Sequence, residues 1–151
     1  MPDPFTSLLL VHLLAVIVAL GTNITFPLWI GAAERDPVHL PFVLRRLRWL
    51  DRYVAIPGYA VAALTGLALA VLGGIPLTTG WLATSIAIYV AVAVIGFVVY
   101  RPVSRSRLTA LERGGPADPG YLRARAEARV LDAVVIAAVL VILSLMVAKP
   151  F

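Results

Sequence analysis

The apolar run that opens this chain carries a single imidazole, His12, flanked by Val11, Leu13 and Leu14. Imidazole ligates haem iron and other metals through either ring nitrogen. It serves equally well as a hydrogen-bonding group between helices, and the residues alone leave both readings open. Further along the same run, Gly21-Thr22-Asn23-Ile24-Thr25 supplies an amide and hydroxyls for a small polar pocket or for bonds to a neighbouring helix. Other chemistries lack their residues. No glycine loop precedes a lysine at phosphate-binding spacing, no two carboxylates stand at catalytic spacing, and no serine–histidine–acid set shares one depth. With 0 cysteines, disulfides, iron–sulfur clusters and thiolate metal sites are excluded. The 2 methionines, Met1 and Met146, support copper handling poorly.

The elements that must position these groups follow from composition. The 151 residues suffice for one domain, residues 1–151, and their apolar fraction of 61% is more than so small a soluble core can hide. Lipid has to be part of the solvent. Four stretches reach the roughly 20 residues that a helix needs to cross a bilayer. They are expected at about 5–30, 53–72, 81–100 and 130–148. None alternates with period two, and only helices satisfy their own backbone in lipid. The fold class is therefore all-α: an integral membrane four-helix bundle. Trp29, Trp49, Tyr53, Trp81 and Tyr100 fall at span ends, where amphipathic rings prefer the interface. The opening Met1-Pro-Asp-Pro-Phe-Thr6 lacks the basic segment of a secretory signal, so the first run is expected to be retained.

Arginine placement gives orientation. Arg35, Arg45, Arg46, Arg48 and Arg52 lie between the first two spans. Arg101, Arg105, Arg107, Arg113, Arg123, Arg125 and Arg129 lie between the last two. The connection Gly73-Gly-Ile-Pro-Leu-Thr-Thr-Gly80 carries no charge. Positive loops stay in the cytoplasm, so both termini are expected outside. The same placement explains the net charge of +5 without a nucleic-acid partner.

The long loops carry their own signals. Asp36-Pro37 and Asp118-Pro119 each pair an N-cap with proline at the first helical position. After Asp36, Leu40, Val43, Leu44, Leu47 and Leu50 recur at helical spacing while Arg45, Arg48 and Arg52 share another face. The pattern predicts an amphipathic helix lying on the inner leaflet and turning into the second span. Its arginines suit anionic lipids, or serve only as a solvated topology anchor. Arg123 and Glu127 are spaced to pair on one helix surface. Each half of the chain is a span, a basic loop opened by Asp-Pro, and a second span preceded by Arg48-Trp-Leu-Asp51 or Arg129-Val-Leu-Asp132. This predicts a duplicated hairpin, with Asp51 and Asp132 at equivalent positions, each paired to the arginine three residues back rather than serving proton transfer.

With the N-terminus outside, His12 lies in the outer half of the bilayer. Thr65, Gly66, Thr84, Ser85, Tyr89, Ser144 and Met146 reach a similar depth, whereas His39 belongs to a loop. A bis-histidine haem within one protomer is therefore not expected. The options are one-histidine ligation with an open sixth position, a weak partner such as Met146, or a site shared between protomers of a homo-oligomer. Gly66 and Gly96 suit close approach of a porphyrin or a helix. Pro57-Gly58 is expected to loosen the second span and free a carbonyl, with Tyr59 near enough to serve it.

Leu10-Val-His-Leu-Leu14 with Leu20-Gly-Thr22, Ile56-Pro57, Leu64-Thr-Gly-Leu67, Leu77-Thr-Thr-Gly-Trp-Leu82, Ile88-Tyr89 and Leu145-Met-Val-Ala-Lys-Pro150 resemble a family of predicted bacterial inner-membrane proteins of unknown function, domain-of-unknown-function family 2269. That family is distantly similar to the four-helix cytochrome b-like group, which includes copper-resistance D-type proteins and HemJ-type protoporphyrinogen oxidases. The resemblance implies a four-helix fold in the bacterial inner membrane and makes His12 comparable to a first-helix haem ligand. Haem b at His12, with Met146, Tyr89 and Thr65 as neighbours, would serve electron transfer or ligand sensing. Lys149 stands outside the hydrocarbon and is not equated with a catalytic lysine. The alternatives are an assembly or scaffold module without cofactor and a small-solute transport subunit lined by Thr22, Asn23 and Thr25.

Overall fold

The computed structural model describes residues 3–150, so Met1, Pro2 and Phe151 lie outside it. It contains four long apolar helices: α1 Pro4–Glu34, α2 Leu40–Leu72, α3 Gly80–Gly114 and α4 Pro119–Ala148. Their 30 to 35 residues correspond to about 45–53 Å at 1.5 Å per residue, against about 30 Å of hydrocarbon. The arginine-bearing segments account for the excess. They carry no internal breaker that stops a helix, so each continues a span and leaves only short turns at 35–39 and 115–118.

Two of those expectations change accordingly. The segment Leu40–Leu50 is not a separate surface helix but runs without interruption into the second span. Asp36 does not cap α2. Its carboxylate takes the His39 ring Nδ1 at 2.7 Å and its carbonyl accepts from the His39 N–H at 3.1 Å, so it closes the turn before the helix. Asp118 does cap α4, accepting from the Tyr121 N–H at 3.0 Å. Gly115, at φ +75°, supplies the left-handed residue that ends α3.

α1 packs along α2, and α3 along α4. The first hairpin is closed by small residues. Ala55, Gly58, Ala62, Gly66 and Ala70 recur at helical spacing on α2, with Gly58 set against Ala15 and Ala19 of α1 and Gly66 against the His12 ring. A Cβ on Gly58 would stand 3.0 Å from the Ala19 Cβ and 3.4 Å from the Ala15 carbonyl oxygen. Lipid gives no hydrophobic drive for two apolar helices to meet, so this close backbone approach is what holds them. The larger core lies at the arginine-rich end, where Phe26, Ile30 and Ala33 of α1 meet Leu40, Leu44 and Leu47 of α2, Leu108 and Leu111 of α3, and Tyr121 of α4.

α2 and α3 each contain one π-helical turn, Asp51–Ala55 and Gly96–Tyr100. Both stand in the same register to a proline: Ile56 N–H donates to the Asp51 carbonyl just before Pro57, and Arg101 N–H to the Gly96 carbonyl just before Pro102. Proline removes one N–H and its ring collides with the carbonyl four residues back. The wider turn relieves that collision and reassigns the bonds. The Tyr59 hydroxyl accepts from Asn23 of α1, and among the described residues it makes no bond to a carbonyl of the loosened turn.

Candidate functional site

Two regions hold polar side chains between the helices. The first surrounds His12. Its Nδ1 lies 2.9 Å from the Ala62 carbonyl oxygen and 3.1 Å from Thr65 Oγ1. A carbonyl can only accept, so Nδ1 donates to it, and in the neutral ring Nε2 is then the nitrogen with the lone pair. Thr65 passes its own hydroxyl proton back to the Val61 carbonyl at 2.7 Å, which leaves its oxygen free to accept. Gly66 makes room for the ring: a Cβ there would stand 3.0 Å from His12 Cε1. Gly96, by contrast, faces open space.

Of the other residues expected near His12, Thr65 is brought to it. Tyr89 donates its hydroxyl to the Tyr59 carbonyl at 3.0 Å, and Met146 packs with Ala70, Trp81 and Leu82 near the opposite ends of the helices from the arginines. Asn23 donates to the Tyr59 hydroxyl at 3.2 Å, whereas Thr22, Thr25, Ser85 and Ser144 return their protons to their own helices. As a haem site the arrangement supplies the orienting half. A ligating histidine commonly donates its other ring N–H to a backbone carbonyl, which fixes the ring, and Nε2 is the atom that would bind iron. No group of three or more His, Cys, Asp or Glu residues capable of holding a metal ion occurs among the described residues.

The second region lies at the arginine-rich end, and its organiser, Glu34, is not singled out by the sequence reading. At the last position of α1, Glu34 accepts from Arg107 of α3 at 3.4 Å, from Arg129 of α4 at 2.9 Å and from Arg125 of α4. The Arg107 side chain is 5% exposed and that of Glu34 14%, so the pair is withdrawn from water and joins the two hairpins. Arg45 of α2 and Glu112 of α3 add a surface pair at 2.8 Å. The short-range pairs predicted from spacing do not form: Arg123 has no ion pair with Glu127, nor Arg48 with Asp51, nor Arg129 with Asp132, among the described residues.

Beside this hub a cavity of about 150 Å³ opens between α2 and α3. Arg48, Arg52, Arg101 and Arg105 line it together with Asp51 and Ser104. A smaller lobe continues from it toward the Phe26, Leu44 and Ala128 core, with Asp51 and Tyr100 in both walls. Asp51 and Asp132, the equivalent positions of the two hairpins, lie within electrostatic reach of each other and of Tyr100.

A family model described as a predicted integral membrane protein (DUF2269) matches residues 6–150. The chain belongs to this family. The match covers all four helices, the Glu34 hub and the cavity, so both candidate regions lie inside the family domain. Comparison with curated proteins and with solved structures gives no match.

Proposed function

We propose that this family member is a multi-pass protein of the bacterial inner membrane, with both termini outside, whose arginine-rich end is a platform on the anionic inner leaflet. One observation carries the reading. Every arginine lies between Arg35 and Arg52 or between Arg101 and Arg129, around the two turns at one end of the bundle, and the single lysine, Lys149, stands at the other. Such asymmetry is what fixes topology, and basic segments next to a span are drawn to anionic lipid. The exposed rings of Trp49 and Tyr53, 5.3 Å apart, sit beside the basic segment as an interfacial anchor would.

The absence of native cysteine makes the test direct. Thr78→Cys is expected to react with a membrane-impermeant maleimide in intact spheroplasts, and Ala117→Cys only after permeabilisation. The opposite pattern would overturn the orientation.

The His12 geometry favours a second reading: b-type haem held by His12 Nε2, for electron transfer or ligand sensing. Haem would supply a redox-active, ligand-binding iron. The chain's own contribution is the Ala62 carbonyl and Thr65 hydroxyl that hold the imidazole through Nδ1 and leave Nε2 unbonded to either. Protein purified in mild detergent from haem-supplied cells is expected to show a near-stoichiometric Soret band that His12→Ala loses. A folded but colourless protein sinks this reading.

A further inference from the structure

The twelve arginines of this protein fall into three groups that sequence cannot separate, of which one, Arg35, Arg46, Arg113 and Arg123, is exposed and unpaired among the described residues. Arg45, Arg107, Arg125 and Arg129 each hold a carboxylate. Arg48, Arg52, Arg101 and Arg105 have no ion-pair partner within 4.0 Å among the described residues, and these four line one cavity. Asp51 is the single acidic residue in that lining, so the formal balance of four positive groups against one negative is +3. Two of the cations are already partly held: Arg101 lies 4.1 Å from the Phe97 ring centroid and Arg52 5.6 Å from that of Tyr53.

The backbone shapes the wall. Asp51 and Arg52 lie in the π-turn of α2, while Tyr100 closes the π-turn of α3 and Arg101 follows it. Each wider turn rotates the residues that follow relative to a regular helix, and π-turns of this kind recur at binding sites. The two π-turns thus set where Arg52, Arg101 and Arg105 emerge relative to Arg48. Like charges lining one cavity repel, an anion among them relieves that repulsion, and planar guanidinium forks match phosphate oxygens two at a time.

We propose that this cavity is a binding site for a phosphate-bearing anion, with Arg48 and Arg101 gripping the phosphate, Arg52 and Arg105 at the rim, and Ser104 donating its hydroxyl. The proposal rests on the orientation given above in one respect: with the basic end inside, the source is the headgroup of an anionic inner-leaflet lipid. The alternative source of the same chemistry is a free phosphate compound from the cytoplasm. The cavity volume accommodates a phosphate with its first substituent, while acyl chains would remain outside along the exposed apolar faces of α2 and α3.

The test uses the whole protein in two settings. In nanodiscs, phosphatidylcholine alone is compared with phosphatidylcholine plus phosphatidylglycerol. In neutral detergent, inorganic phosphate and glycerol phosphate are titrated at constant ionic strength. Arg48→Gln/Arg101→Gln is set against a charge-matched control, Arg46→Gln/Arg113→Gln, whose side chains are exposed and outside the cavity. The cavity variant is expected to lose about tenfold or more in affinity, as charge-assisted hydrogen bonds are removed, while the control binds as the parent does.

Binding of both phosphatidylglycerol and glycerol phosphate supports the lipid source. Binding of the soluble compounds alone supports the same site with an aqueous source. Equal losses in the two double variants, or no binding to the parent in either setting, overturn the site. Should Arg48→Gln/Arg101→Gln not fold, the rim variant Arg52→Gln/Arg105→Gln gives the same comparison with a severalfold loss expected. A reversed cysteine-labelling pattern with intact binding in detergent would remove the leaflet assignment and leave the phosphate site standing.

Discussion

Arg129 Nη2 donates to Glu34 Oε2 at 2.9 Å although 95 positions separate the two residues in sequence. With Arg107 and Arg125 on the same carboxylate, Glu34 is the electrostatic joint between the hairpins. Glu34→Gln removes the charge from a group of three guanidiniums, one of them buried. The expected loss is about 3 kcal/mol, the cost of stranding a buried charge. Arg129→Gln removes only an exposed partner and is expected to cost about 1 kcal/mol or less. Unfolding of both variants in one detergent, followed by helical circular dichroism, checks the difference. Equal losses would show that Arg107 finds another partner.

Gly58 and Gly21 give a matched pair for the small-residue face. Gly58→Leu forces a side chain where a Cβ alone would already stand 3.0 Å from Ala19, whereas nothing lies within 4 Å of a Cβ on Gly21. Gly58→Leu is expected to cost about 3 kcal/mol through overpacking, and Gly21→Leu close to nothing. Melting of the two proteins side by side reads the contrast, and similar melting points would mean that the α1–α2 contact is not set at Gly58.

The cost of His12→Ala separates a structural imidazole from a ligating one. Loss of the bonds to Ala62 and Thr65 is expected to destabilise the cofactor-free protein by about 0.6 kcal/mol and no more than about 1.7, the range for polar contacts between membrane helices. A much larger loss confined to protein from haem-supplied cells would show that the group bound at His12 carries the stability.

Asp118→Ala deletes the cap of α4 and is expected to cost about 1 kcal/mol. Asp36→Ala removes only an exposed turn contact with His39, with side chains 57% and 68% exposed, and is expected to leave stability almost unchanged. Thermal melting again distinguishes them. Equal effects would place a capping role at Asp36 after all.

What could be read from sequence was what depends on near neighbours. Four apolar runs, the arginine asymmetry and the Asp118 cap each follow from a stretch of residues short enough to act within one helix. Pro57 announced a disturbance, but its form, a π-turn mirrored before Pro102, emerges only from how the backbone redistributes its bonds. Ion pairing went the other way. Arg48, Arg123 and Arg129 have acidic residues three or four positions off, yet Arg129 turns to Glu34 on another helix. Glu34 is largely withdrawn from water, where a charge pair is less screened than at the surface, and it holds Arg129 although Arg107 and Arg125 already offset its charge. No local spacing rule contains that fact. The cavity was hidden for the same reason: whether an arginine is spent on a carboxylate or left free is decided across hairpins.

The order of the four helices has one more consequence. Each hairpin contains its own pair of spans and its own arginine-rich turn, and the only covalent tie between them is the uncharged segment 73–79. The information for insertion is therefore present twice, and the information for joining lies in Glu34, the Arg45–Glu112 pair and the core beside them. Cut at that segment, the two halves are separate polypeptides, each a complete pair of apolar helices, and each brings one carboxylate, Glu34 or Glu112, that meets arginine on the other.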